Sequence, residues 1–270
     1  MIPKEARNYL ETRLKKGRVI CLTGAGISSE SGIPTFRGKD GLWQRYKPEI
    51  YGTAEGLISV LKTQPKNMVN YLVDLYSFLL KARPNPAHLA LSVLEKEGIL
   101  NAIITQNIDN LHQAAGSREV IELHGNAFRI RCMRCNKTIT LEKDRISEML
   151  RLLKVSQDSR IKLLKIFSRY FPRCTCGFRY RIDIVFFGEI LPQDELSRAY
   201  AELSNCNTLL VIGTSLAVFP AAELPLYAKE RGAKLIEIND VPTALSHSCD
   251  YKIIGSAGKV LTEVLSILKN

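Results

Sequence analysis

The side chains with the plainest chemistry are cysteines in two close pairs, Cys132-Met133-Arg134-Cys135 and Cys174-Thr175-Cys176. Two such pairs supply the four thiolates of a tetrahedral structural zinc site. A redox dithiol is the rival reading, but this C-x-x-C does not open a thioredoxin-like βαβ unit. Four thiolates leave no open coordination position, so a structural role is expected and not a catalytic one. The C-x-C pair is tighter than C-x-x-C, and some strain on the site is expected. Cys21, Cys206 and Cys249 read as small buried apolar residues.

A second group is small and polar. Thr23-Gly24-Ala25-Gly26-Ile27-Ser28-Ser29 follows an apolar strand and is expected to open a helix. Small residues let the backbone approach a pyrophosphate, and a helix N-terminus favours the anion. The match to G-x-G-x-x-G is partial: Ser29 stands at the third glycine, and the usual acidic residue further on is missing. In the segment that follows, Phe36 would cover a reactive sugar or departing ring, and Arg37 would pair with phosphate oxygens. A core Phe and a surface Arg fit equally well. Gln106-Asn107-Ile108-Asp109 puts polar side chains at the end of another strand. Asn107 and Asp109 together offer the donors and acceptors that hold a carboxamide. Either also fits a helix N-cap. His124, beside Gly125 after the short strand EVIEL, is placed for proton transfer near neutral pH. His88, His112 and His247 read as structural.

Short apolar strands must position these groups. They are expected at 18–22, 102–105, 207–213 and 234–238, alternating with helices. That order predicts a parallel, doubly wound α/β sheet, with ligands beyond the carboxyl ends of the strands. Two segments break the rhythm. Residues 39–82 read as a loop followed by helices. Residues 126–180 hold the cysteine pairs and, between them, a helical hairpin with Ile146, Met149, Leu150 and Leu153 on one face and a turn at 156–159.

The chain has 270 residues and a formal net charge of +11, which favours acidic partners. Nine Lys/Arg against four Asp/Glu fall within residues 142–173, so the hairpin is a candidate surface for DNA or DNA-bound proteins. It lacks the interleaved aromatics of a single-strand stacking platform. A charged N-terminal stretch without an apolar core, and no run of roughly 18 apolar residues, predict a cytoplasmic protein with no membrane contact.

GAGISSESGIPTFRG, TQNIDNLH, LHG, the cysteine pairs, FFGEILP, GTSLAVFPAAELP, IND and GSAGKVL, in this order, closely resemble the sirtuin family of NAD-dependent protein deacylases. The resemblance implies a Rossmann-like NAD-binding domain of residues 1–38, 83–125 and 181–270. The helical module 39–82 and the zinc-binding module 126–180 would together form a small domain. It also implies roles by position. Gly24, Ala25, Gly26, Ser28 and Arg37 would contact the NAD diphosphate and nearby ribose, with Phe36 in the same loop. Gln106 would hold ribose. Asn107, Ile108 and Asp109 would enclose nicotinamide. Gly213, Thr214, Ser215, Asn239 and Ala257 would line the adenosine side. His124 would be the general base, with Asn107 beside it among the catalytic residues. Phe187, Gly188, Glu189, Val218 and Phe219 would pair with an acyl-lysine peptide as an added strand.

In the implied reaction the acyl oxygen attacks C1′ of the nicotinamide ribose. Nicotinamide leaves, and an alkylimidate links peptide to sugar. His124 draws a proton through the ribose hydroxyls. The 2′-hydroxyl attacks, and water then frees lysine and O-acyl-ADP-ribose. NAD is consumed. There are departures from the family pattern: Thr35 stands where Asp is usual, and the hairpin is longer than usual. Tyr71-x-x-Asp74 and Tyr76-x-x-Leu79 lack the Arg that would hold an acidic acyl group, so uncharged acyl groups are expected. A protein mono-ADP-ribosyltransferase using the same NAD site and a basic nucleic-acid-binding module remain alternatives.

Overall fold

The computed structural model describes residues 2–35 and 41–269. Nine strands occur among them: β1 (Val19–Thr23), β2 (Leu100–Thr105), β3 (Val120–Glu122), β4 (Gly125–Cys132), β5 (Thr138–Thr140), β6 (Tyr180–Ile184), β7 (Thr208–Ile212), β8 (Lys234–Asn239) and β9 (Tyr251–Ile254). Six form one parallel sheet in the order β3-β2-β1-β7-β8-β9. This is the doubly wound, Rossmann-like architecture expected from the alternating strands and helices. Between β1 and β7 the winding reverses, which opens a crevice at the strand ends.

Residues in β1 are buried throughout, because both sheet faces are covered. Alternation sorts them: Val19 and Cys21 pack under the helices Lys4–Arg13, Pro86–Lys96 and Ala257–Lys269. Ile20 and Leu22 pack under Gln193–Ser204 and Leu224–Glu230 on the other face. The edge strand β9 carries no comparable apolar run and was not expected.

A separate three-stranded antiparallel sheet, β5-β4-β6, holds the cysteine pairs near its ends. The sequence predicts the cysteine pairs and a helical hairpin between them; the strands are additional. β5 is exposed along its whole length, so no burial alternation marks it. The hairpin is present as Lys143–Val155 and Arg160–Tyr170, and Ile146, Met149, Leu150 and Leu153 are its buried face. These side chains share one core with Phe128 and Ile130 of β4 and with Val69, Tyr76 and Leu79 of the helix Pro65–Lys81. The Tyr76 hydroxyl donates to the Ala127 carbonyl at 2.8 Å, tying helix to sheet. Among the described residues, no helix is long and apolar enough to cross a membrane.

Candidate active site

Register brings the strand ends level. Thr23 pairs with Thr105 on one side and with Ile212 on the other. The three segments that follow, 24–31, 106–110 and 213–215, therefore meet over one crevice. The glycine turn continues as a 3-10 helix, Ala25–Ser31, and not as the α-helix that the motif suggests. Its glycines are required by close packing. A Cβ on Gly26 would lie 2.8 Å from Gly213 Cα, and one on Gly213, at φ +60°, would lie 2.3 Å from the Ile27 nitrogen. Gly26 N–H donates to Gly213 O at 2.7 Å.

Ser28 is the hub of the site and is fully buried. Its hydroxyl donates to Asp109 Oδ2 at 2.7 Å and accepts from Asn107 Nδ2 at 3.2 Å. Asn107 Nδ2 also reaches Gly24 O at 3.1 Å. Burial pushes the Asp109 carboxyl above its ordinary range; the bonds from Ser28 and the Leu111 N–H oppose that shift. Ala25, Ser28, Asn107, Ile108 and Asp109 line a narrow, solvent-open cleft, otherwise walled by apolar side chains including Ile33, Leu42 and Leu75.

Behind this cleft stand two residues that composition had consigned to structure. Thr23 Oγ1 donates to Thr105 Oγ1 at 2.8 Å and lies 3.0 Å from His112 Nε2. The His112 and His88 rings are 4.9 Å apart, and His88 Nδ1 accepts from the Asn85 N–H in a capping box. Burial lowers the His88 pKa to about 4 and that of His112 well below its ordinary value. Both rings are neutral, and they back the polar loop without adding charge.

His124 lies in the two-residue turn between β3 and β4, where the chain leaves the large sheet for the small one. Its Nδ1 donates to Gln106 O at 2.9 Å. A carbonyl only accepts, so the ring carries its proton on Nδ1 and Nε2 is left with a free lone pair. Burial lowers the imidazole pKa, partly countered by the Gln106 bond. A neutral histidine with an open Nε2 is what a general base requires. Gln106 Nε2 donates to Thr214 Oγ1 at 2.9 Å, and Asn239 Nδ2 to Thr214 O at 3.2 Å. Ser215 is exposed beside them, and Ala257 is buried at the start of the last helix. Phe36 and Arg37 lie outside the described residues.

The Sir2 family profile matches residues 24–220. The chain belongs to the Sir2 family. Over 257 residues it is 43% identical to the NAD-dependent protein deacylase of Pyrococcus furiosus, spanning 94% of each chain. It is 42% identical over 267 residues to NAD-dependent protein deacylase 2 of Archaeoglobus fulgidus, spanning 98% of this chain and 96% of that one. Among solved structures it resembles a Sir2 homologue–NAD complex, with TM-score 0.78 and 38% identity over 97% of this chain and 93% of the other. It also resembles a Sir2–p53 peptide–NAD+ complex, with TM-score 0.75 and 35% identity over 98% of both chains.

In this Sir2 chain the four cysteines do converge. Cys132 Sγ lies 3.4 Å from Cys176 Sγ, Cys135 Sγ lies 3.6 Å from Cys174 Sγ, and all four sulfurs fall within 4.8 Å of one another. Zinc–sulfur bonds of about 2.3 Å in a tetrahedron place sulfurs about 3.8 Å apart. The donor set therefore fits zinc, and the C-x-C spacing does not keep its sulfurs out of reach. The cluster sits at the far end of β4 from His124, on the order of 20 Å away by strand rise.

The positions expected to meet substrate fall in two loops. Phe187 and Gly188 follow β6, and Phe187 N–H donates to Gly52 O at 2.8 Å. Its ring centroid lies 6.1 Å from that of Trp43. Glu189 faces inward: both its oxygens pair with Arg181 at 2.5 Å, and it caps the Phe186 N–H. Burial works against its charge, but these partners hold its carboxyl below the ordinary range. Val218 and Phe219 follow β7, and Phe219 is 71% exposed. Among the described residues no hydrogen bond joins the two loops.

Proposed function

We propose that this chain is an NAD-consuming protein lysine deacylase, with His124 as general base and Asn107 and Asp109 holding the nicotinamide carboxamide. The observation that carries this reading is the Nδ1–H bond from His124 to Gln106, which presents a neutral Nε2 beside the crevice. NAD, as co-substrate, supplies the electrophilic ribose carbon. Gly24, Ala25, Gly26 and Ser28 receive its diphosphate side, Gln106 the ribose, and Gly213, Thr214, Ser215, Asn239 and Ala257 the adenosine. His124 takes the proton that must leave when a ribose hydroxyl attacks the transferred acyl group.

The proposed organisation is a Rossmann-like domain of residues 1–38, 83–125 and 181–270 with the segments 39–82 and 126–180 as its small domain. Acyl-lysine peptide would add as a strand between the loops at Phe187–Glu189 and Val218–Phe219. Leu79, three residues after Tyr76, offers no cation to an acidic acyl group, which supports uncharged acyl groups. So does Asp74, which is already committed to Arg45 at 3.0 Å and to the Tyr46 hydroxyl at 2.6 Å. Cys132, Cys135, Cys174 and Cys176 would hold one zinc ion that braces the small sheet and takes no part in proton transfer. The proposed setting is the cytoplasm, where such thiols stay reduced.

Mass spectrometry of NAD turnover with a panel of acyl-lysine peptides tests the reading. O-acetyl-ADP-ribose and free nicotinamide are expected. ADP-ribosylated protein without deacylation would replace the proposal with ADP-ribosyl transfer. A second partner is favoured by the hairpin, where Lys154, Arg160, Lys162 and Lys165 are all exposed. Duplex DNA is the proposed ligand there, and binding that ignores salt or survives removal of the hairpin would discard it.

A further inference from the structure

His124 is bracketed by a buried ionic cluster that the reaction does not use directly. Glu122 ends β3, Asn126 lies in β4, and both are nearly inaccessible, at 6% and 4% exposed. Glu122 Oε1 accepts from Asn126 Nδ2 at 2.6 Å and from Gln113 Nε2 at 2.8 Å. This bridge closes the turn that carries His124 with side chains, at the point where no single sheet can do so. Asn126 Nδ2 also donates to Asn110 Oδ1 at 2.9 Å, and Ala127 N–H to Ile108 O at 2.9 Å. Asn126 and the following Ala127 thus grip the 107–110 loop.

The cluster continues into the small sheet. Arg129 Nη1 meets Glu122 Oε2 at 2.8 Å, while Arg129 Nε and Arg131 Nε meet the two oxygens of Asp183 at 2.5 and 2.6 Å. Two residues beyond Asp183, the Val185 N–H donates to the His124 carbonyl at 3.0 Å. Two carboxylates and two guanidiniums balance in charge, so the buried ions compensate one another. Buried ion pairs are costly to assemble, and they are most useful where they select one geometry. Here the geometry selected is that of the turn between the sheets.

We infer that Glu122, acting through Asn126, is a positioning residue that sets the His124 imidazole relative to the 107–110 loop. The inference rests on the reading of His124 as general base. It separates two parts of the reaction. Displacement of nicotinamide by an acyl oxygen releases no proton, whereas the later hydroxyl attack does. Misplacing the base should therefore slow the second part and spare the first.

The test measures nicotinamide exchange and O-acyl-ADP-ribose formation separately in Glu122→Met and Asn126→Ala. Glu122→Met keeps side-chain length and removes the acceptor. Asn126→Ala cuts the bridge and the Asn110 bond but leaves the arginine pairs and the backbone bond from Ala127 N–H to the Ile108 carbonyl, which still holds the 107–110 loop, and it carries the test if Glu122→Met does not fold. Exchange should stay within about threefold of the parent, and product formation should fall about tenfold or more. Equal slowing of both would mean only a structural clamp and would overturn the inference, as would no slowing. His124→Ala is the control on the underlying reading: if that variant still forms product, the base assignment fails irrespective of Glu122.

Discussion

The His124 Nδ1 hydrogen is committed to the Gln106 carbonyl, 2.9 Å away, and that bond spans the ends of two neighbouring strands. One backbone oxygen thereby fixes both the tautomer and the ring plane. As the proposed base, the free Nε2 would work only when deprotonated, and burial lowers the pKa from its ordinary 6.5. Activity under sub-saturating substrate should rise with pH, with an acid limb centred below that value. His124→Ala should lower turnover about 10²–10⁴-fold and leave NAD binding largely intact. A pH–rate profile on both proteins checks this; full turnover in the variant would refute the role.

Ser28 joins Asp109 and Asn107 through a single hydroxyl. Ser28→Ala leaves both partners buried with one bond fewer, and a destabilisation of about 1–3 kcal/mol is expected. Urea denaturation measures it. NAD titration should show weaker binding in the same variant, because the 107–109 loop loses its tie to the glycine turn. Unchanged stability would mean that water replaces the hydroxyl at no cost.

Removing one thiolate should undo the small sheet. Cys174→Ser is expected to lose the zinc and to melt β4–β6, since metal binding and folding are coupled in such sites. Metal analysis should find one ion per parent chain, and circular dichroism should show the loss in the variant. NAD binding along the large sheet should outlast it. A melting curve indifferent to chelator would contradict a structural ion.

Acid should weaken the fold through the paired histidines. His88 titrates near 4 when folded and near 6.5 when unfolded. Between those values the unfolded chain binds a proton that the folded chain refuses. Stability is therefore highest above 6.5 and declines as pH falls towards 4, by on the order of 3 kcal/mol for His88 alone. His112, shifted in the same direction, adds to the slope. Denaturation midpoints across this range in the parent and in His88→Gln should converge at low pH; parallel curves would count against it.

Much was legible in the chain itself. Apolar runs bounded by small polar residues marked β1, β2, β7 and β8, because burial on both faces leaves a continuous local signal. The hairpin's buried face followed helical periodicity, and the spacing of the cysteine pairs pointed to a metal site, with a redox dithiol as the rival until the four sulfurs were seen to converge. Local sequence specified these features since each depends on residues a few positions apart. Strand order did not follow from it. β1 lies between β2 and β7, and only that arrangement brings residues 24, 106 and 213 over one crevice. The exposed β5 and the edge strand β9 bury too little to leave a pattern. Ser28 meets Asp109 across 81 residues, and Arg129 meets Asp183 across 54. Such pairs are decided by tertiary packing, where the cost of burying a polar group is met by partners that no local pattern can name. His124 shows the division most clearly. Its residue type and motif marked it as a candidate base; the tautomer that suits it to that proposed role depends on a carbonyl brought alongside by the neighbouring strand.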